Sequence, residues 1–114
     1  MNNLNQIIVE GNLVRDAELS KTSKGISVIK CTVAVNRTYR KGDGSYAEEV
    51  SYFDIEMYGA MADKFNKDLT KGRGIRTVGR LKQDTWTDTD GKKHSKVYII
   101  AEHIELKPKS NKEA

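Results

Sequence analysis

Val50-Ser51-Tyr52-Phe53-Asp54-Ile55-Glu56-Met57-Tyr58 is the stretch on which the fold turns. Side chains of a β-strand alternate between its two faces, so Phe53, Ile55 and Met57 point one way and Tyr52, Asp54, Glu56 and Tyr58 the other. The aliphatic set reads as core. The second set puts two aromatic rings on a face that is otherwise charged. Directly afterwards the period changes: Met61, Phe65 and Leu69 fall at i, i+4 and i+8, a narrow apolar stripe that predicts a helix over Ala60 to Leu69. Gly72 stands where a helix C-terminal cap is expected.

Working outward, Asn5 to Arg15 reads as a first strand with Ile7, Val9 and Leu13 on one face. A polar stretch ends in Ser23-Lys24-Gly25, and Ile26 to Asn36 reads as a second strand in which Ile29, Cys31, Val33 and Val35 alternate with Val28, Lys30, Thr32 and Ala34. Arg37 to Tyr46 looks like an extended hairpin tip, with Gly42 and Gly44 supplying the positive φ that tight turns require. Beyond the helix, Gly74 to Trp86 is a fourth strand and Lys96 to Leu106 a fifth. The tip between them carries Asp90-Gly91, the strongest turn signal in the chain. The order β-β-β-α-β-β is that of the OB-fold, a five-stranded, partly open barrel whose strand 2–3 face and hairpin loops bind oligonucleotides or oligosaccharides. Residues 1–106 are expected to form this domain, and 107–114 a short polar tail.

Composition agrees with one small domain. The chain has 114 residues, a formal net charge of +4, one cysteine and one proline. A single cysteine forms no internal disulfide, which suits a reducing compartment. The start MNNLNQIIVEGN has no basic segment leading into a long apolar run, and no stretch approaches the ~20 apolar residues of a membrane span. The charge is unevenly spread: residues 1–57 hold 7 Lys and Arg against 8 Asp and Glu, and residues 58–114 hold 13 against 8. That bias hints at an anionic partner.

No catalytic constellation is visible. His94 and His103 lie nine residues apart on one strand, on opposite faces and without chelating spacing. Cys31 belongs to an apolar strand face and reads as a small buried hydrophobe. Asp54 and Glu56 share a face, and a small hydrolase using them would need a closed pocket; solvated carboxylates are the plainer reading. No metal or cofactor is expected. Single-stranded nucleic acid, by contrast, needs cations along the phosphates and partly exposed aromatics under the bases. Tyr39 sits in Arg37-Thr38-Tyr39-Arg40-Lys41, Tyr52 and Tyr58 alternate along the third strand, and Trp86 leads into a hairpin ending in Lys92-Lys93.

These residues resemble a known family, the bacterial single-stranded DNA-binding proteins. Gly11-Asn-Leu13-Val-Arg-Asp16-Ala17-Glu18-Leu19 is similar to that family's G-x-L-x-x-D-P-E-L, with alanine in place of proline. Ala34-Val35-Asn36-Arg37 matches the A-V-N-R that closes strand two. Tyr58-Gly59 with Leu69-Thr-Lys71-Gly72 resembles the aromatic-Gly and Y-L-x-K-G pair, and Gly79-Arg80-Leu81 followed by Trp86-Thr87-Asp88 and Gly91 resembles G-R-L and W-x-D-x-x-G. The resemblance runs from about residue 5 to 106. It implies base stacking by Tyr39, Tyr52, Tyr58 and Trp86, basic contacts from Lys71, Arg80 and Lys82, and DNA wrapping by the hairpin that holds Arg37, Arg40 and Lys41. It further implies a homotetramer, or a dimer, with first strands paired across the dimer to cover Ile7, Ile8 and Val9, and a cytoplasmic, nucleoid-associated location.

Two departures stand out. Asp54 and Glu56 occupy positions where the family more often has basic or neutral residues, and carboxylates near phosphates would reduce affinity unless Arg76, Arg80 or another cation neutralises them. The family also usually continues into a tail with an acidic, apolar tip that recruits replication and repair enzymes, whereas this sequence ends in Lys109-Ser-Asn-Lys-Glu-Ala114. The expectation is therefore sequence-nonspecific binding and protection of single-stranded DNA in replication, recombination and repair, with recruitment through an acidic tip doubtful. The alternative is an OB-fold dimer like the primosomal accessory proteins, acting mainly through protein partners.

Overall fold

Seven elements follow one another in the computed structural model, which describes residues 2–109. They are β1 (Ile7–Leu13), β2 (Glu18–Lys21), β3 (Ser27–Arg40), β4 (Tyr46–Tyr58), α1 (Ala60–Phe65), β5 (Gly74–Thr87) and β6 (Lys93–Leu106). Five of the strands close a ring. β1 pairs with β5, β5 with β6, β6 with β4, β4 with β3, and β3 returns to β1. All pairings are antiparallel except β4 with β6, a short parallel contact at Ile55–Ile99 and Glu56–Ile100. This is the five-stranded OB barrel. The predicted tail begins outside it, and its residues 110–114 lie outside the described residues.

The alternation read from the sequence fills the barrel. Leu13, Ile29, Cys31, Val33, Ile55, Met57, Ile75, Ile99 and Ile104 are all buried in one cluster. Burial of a side chain of this size stabilises by about 1.5–3 kcal/mol, so this cluster outweighs any surface contact. Two glycines let backbones approach at the seams. A Cβ on Gly11 would lie 2.5 Å from the carbonyl oxygen of Ala34, where β1 closes onto β3. A Cβ on Gly79 would run into the carbonyl oxygen of Ile100, at the register shift between Val78 and Gly79.

Four local expectations change. β2 is a strand where a polar loop is expected; it pairs with Ser27–Lys30 of β3, and every one of its side chains is exposed. A strand held by backbone pairing alone leaves no apolar alternation to read. The helix stops at Phe65 rather than Leu69, with Asn66 as its C-cap. Asn66, Asp68 and Thr70 are weak helix formers. Leu69 is nevertheless buried, and its carbonyl accepts the Ala17 N–H at 2.9 Å. Gly72 (φ 88°) does not cap the helix: its N–H donates to the Leu13 carbonyl. At the first hairpin only Gly44 has positive φ, and Gly42 does not.

The remaining change concerns strand length. β3 and β4 stay paired from Val28–Tyr58 out to Arg40–Tyr46, so Arg37 to Arg40 belong to a strand and not to a loop. β5 and β6 stay paired from Ile75–Leu106 out to Thr87–Lys93. Both hairpins therefore project past the barrel as arms. Phe53, expected in the core, is 38% exposed because β4 has already passed the end of the barrel at that residue. It lines an open apolar cavity of about 380 Å³ with Ile7, Leu81, Val97 and Ile99.

Candidate nucleic-acid interface

Directly opposed residues of paired strands share a face, so the registers assign every candidate side chain. On β4, Tyr52, Asp54, Glu56 and Tyr58 face outward from the barrel, opposite Ala34, Thr32, Lys30 and Val28 of β3. The β4–β6 contact continues that face onto Ile100 and Tyr98, and the β5–β6 ladder continues it onto Arg80, Lys82, Asp84 and Trp86. Tyr52, Tyr58, Trp86, Arg80 and Lys82 thus occupy one continuous outer surface. Tyr52 is 65% exposed, Trp86 50% and Tyr58 39%.

The carboxylates on this surface are each engaged. Asp54 accepts the Thr32 hydroxyl at 2.7 Å, and Lys96 Nζ stands 3.4 Å from its other oxygen. The Thr32 hydrogen bond, with help from Lys96 and against the cost of burial, holds the Asp54 carboxyl below the ordinary aspartate range. Glu56 is buried and accepts the Tyr58 hydroxyl at 2.8 Å. Burial, then the Glu56 carboxylate, pushes the Tyr58 phenol upward. Asp84 takes Lys82 Nζ at 2.6 Å and the Tyr98 hydroxyl at 2.9 Å. The neutralising partner of Asp54 is therefore Lys96, not Arg76 or Arg80; Arg76 is held 3.3 Å from both Glu10 and Glu105.

Trp86 has a layered setting. Its indole stacks on His94 with centroids 5.6 Å apart and planes 21° from parallel, and His94 Nε2 lies 2.7 Å from Asp88. One indole face is thus occupied by the protein and the other is available.

Residues 4–107 match the Single-strand binding protein family. The chain belongs to that family. Among its relatives, the single-stranded DNA-binding proteins of Wolinella succinogenes and Aquifex aeolicus are 39% and 38% identical over 90% of this chain, which covers 63% and 69% of theirs. The wild-type single-stranded DNA binding protein from Thermus aquaticus superposes with a TM-score of 0.80 at 26% identity, covering 92% of this chain and 50% of that one. A Plasmodium falciparum family member solved with single-stranded DNA shares the fold at a TM-score of 0.85 and 20% identity. The chain spans about three-fifths of the length of several curated relatives it matches.

The remaining candidates divide between surfaces. Tyr39 and Arg37 lie on the opposite face of the first arm from Tyr52, because they pair with Ala47 and Glu49. Arg37 makes an ion pair with Glu49 at 2.9 Å and sits 5.2 Å over the Tyr39 ring. Arg40 returns to the Tyr52 face at the arm's end, and Lys41 opens the turn, its N–H donating to the Ser45 carbonyl. Lys71 is not brought to this surface by any strand register; it lies in the turn before β5, where its N–H donates to Asp16 at 2.8 Å. Sequence reasoning misses Lys96, Tyr98, His94 and the exposed Tyr46. Of these, Lys96 and Tyr98 had a readable signal, since alternation puts both on one strand face with His94.

Proposed function

We propose that this chain binds and protects single-stranded DNA without sequence-specific pairing, by stacking bases on Tyr52, Tyr58 and Trp86 while Arg80, Lys82 and the first arm's Arg40 and Lys41 meet phosphates. The supporting observation is the alignment of three exposed aromatics and two cations on one sheet face. Tyr39 and Arg37 serve the reverse face of the first arm, which suits a strand that wraps around that arm. Lys71 would act at a separate point of a longer path. Such binding serves replication, recombination and repair, and would place the protein in the cytoplasm on the nucleoid. The unit that binds is residues 1–106.

The reading is one of binding and not of catalysis. Cys31 lines the cavity beside Asp54 and Glu56, and burial pushes that thiol up to about 12, far from thiolate at neutral pH. Asp54 is held ionised and so is no proton donor. Among the described residues no cluster of three His, Cys, Asp or Glu side chains is placed to hold a metal ion, and no helix is long and apolar enough to cross a membrane.

Assembly follows the open edge of β1. Among the described residues β3 covers β1 only at Asn12 and Leu13 and nothing pairs with the edge from Ile7 to Gly11 opposite β5, and Ile8 is 66% exposed. A second copy adding its β1 there would cover that edge, as in a homotetramer built from dimers.

Trp86 is the chain's one tryptophan, so its fluorescence should be quenched when oligo-dT is titrated in. Affinity should fall steeply between low and moderate salt, because each neutralised phosphate releases counterions. Absent or salt-insensitive quenching would refute the reading. Light scattering separates the alternative: a stable dimer with micromolar DNA affinity favours an accessory protein acting through partners.

A further inference from the structure

We propose that His94 is a positioning residue for base stacking on Trp86 and takes up a proton when single-stranded DNA binds, so that affinity rises as pH falls from about 7.5 to about 5.5. This rests on the Trp86 face being the surface for DNA.

His94 opposes Trp86 in the β5–β6 ladder, and their rings stack with centroids 5.6 Å apart. Its Nε2 lies 2.7 Å from Asp88 Oδ2. Asp88 is itself fixed, because its Oδ1 accepts the N–H groups of Asp90 and Lys92. An ionised carboxylate only accepts hydrogen bonds, so Nε2 carries the hydrogen and Nδ1 is the bare acceptor of the ring. Among the described residues Nδ1 has no hydrogen-bond partner, and the side chain is 44% exposed. The imidazole is thus clamped by one nitrogen and one face, while its basic nitrogen is unused by the protein. An open recess of about 470 Å³ lies against both rings, with Lys93 in its wall. Phosphates flanking a base stacked on Trp86 can lie in that recess.

The charges around the ring are close to balance. Asp84, two places from Trp86 on β5, is taken by Lys82, and Lys96, two places along β6, stands against Asp54. That leaves Asp88 and Asp90 against Lys92 and Lys93 at the turn. A nearby negative charge favours the imidazolium, so an arriving phosphate tips the balance. The proton comes from solvent and goes to Nδ1, which then donates to a phosphate oxygen where its lone pair would have repelled it. The imidazolium also lies against the indole face, an attraction of the cation–π kind. Asp88 stays a carboxylate throughout, because His94 and then the Lys92 N–H hold it below 3.8. Stacking and charge are both indifferent to base identity, so binding remains sequence-nonspecific. The chain has one other histidine, His103, about 30 Å further along β6 and 3.3 Å from Glu105.

The test uses the full chain and end-labelled oligo-dT, read by fluorescence anisotropy in a pH series over that range at fixed ionic strength. Wild-type affinity should rise about three- to tenfold toward acid, with uptake of up to one proton per Trp86 site. The logarithmic salt slope should steepen by up to about 0.7 per site over the same range, as one more phosphate is neutralised. His94→Phe keeps a ring under Trp86, and His94→Gln keeps a donor for Asp88. Each should abolish the pH dependence, and His103→Gln should preserve it. At the alkaline end His94→Phe should bind about threefold or more tightly than His94→Gln, because only a ring supports the indole. Equal affinity of the two there would overturn the positioning role. A pH dependence that is absent from wild type, or that survives in either His94 variant, would overturn the proton uptake. Failure of wild type to bind at any pH would instead overturn the reading of the face itself.

Discussion

The two hairpin arms leave the barrel on ladders of similar length and are held in different ways. In the β3–β4 arm the side-chain ties beyond the barrel are the exposed Arg37–Glu49 pair, the Arg37 cap on Tyr39, and the Asp43–Ser45 contacts at the tip. Exposed pairs of this kind contribute about 0–1 kcal/mol, so this arm rests on its backbone ladder. The β5–β6 arm is laced from root to tip: buried Tyr98 to Asp84 to Lys82, then Trp86 on His94, and His94 to Asp88. Asp88 in turn accepts the N–H groups of Asp90 and Lys92, both at 2.9 Å. One arm is free to follow a strand, and the other is a preformed platform for Trp86. Preorganisation of that kind reduces the ordering cost of binding.

The largest test strains the barrel at its seams. Gly79→Ala forces a Cβ into the Ile100 carbonyl and should cost about 3 kcal/mol or more, seen as a lowered urea midpoint. Gly11→Ala meets Ala34 less closely and should cost less. Equal midpoints for the two variants would show that the β5–β6 seam is no tighter than the β1–β3 closure.

Next in size is the binding contrast. Trp86→Ala removes a stacking surface fixed on His94, and should weaken oligo-dT binding by about 10- to 100-fold. Tyr39→Ala should weaken it by less than about tenfold, since Tyr39 lies on the face of its arm turned away from the Tyr52 surface. Labelled-oligomer anisotropy reads both. A Tyr39 effect matching that of Trp86 would mean the two arms grip equally.

The contrast also explains what the sequence could disclose. Ile29, Cys31 and Val33 alternate, as do Ile55 and Met57, because those faces fill the barrel; that makes the barrel legible. Alternation does not say where a barrel ends, so Phe53 reads as core although it sits at the rim. A reading that ends the second strand at Asn36 leaves Tyr39 with no face, and the register of the long β3–β4 ladder is what puts it on the face away from Tyr52. Tyr52, Tyr58 and Trp86 were legible as candidates from their polar neighbours and their motifs. The Asp54–Lys96 contact was not, because it depends on the parallel meeting of β4 and β6, strands separated by a helix and a third strand; the Tyr98–Asp84 contact needs the register of the β5–β6 ladder.

A smaller effect sharpens the difference in lacing. Tyr98→Phe deletes the hydroxyl that donates to Asp84 and should cost about 1 kcal/mol in the urea midpoint, because Asp84 is partly solvated and recovers some of the loss. Arg37→Ala in the other arm should cost under about 0.5 kcal/mol. If Arg37→Ala proves the costlier, the first arm is held by its ion pair after all.

The smallest effect is read at the tips, by pH. His94, then the Lys92 N–H, hold Asp88 below the ordinary aspartate value of 3.8, and Ser45 does the same for Asp43. A carboxyl lowered in the folded state stabilises it above its ordinary value, and that contribution is lost as pH falls through the folded value. Stability therefore declines only in acid, below about 3.8, and the neutral range is flat for these groups. Both carboxylates are exposed, so the amide proton shifts of their acceptor-bound N–H groups report more directly than any melting curve. The Asp90 and Lys92 amides should titrate together with a midpoint below 3.8, as two donors on one Asp88 oxygen. The Ser45 amide should titrate alone with Asp43. A shared shift for Asp90 and Lys92 that also moves the Trp86 indole signal would show that the second arm's tip and its stacking platform are one unit; an unmoved indole would confine the lacing to the turn.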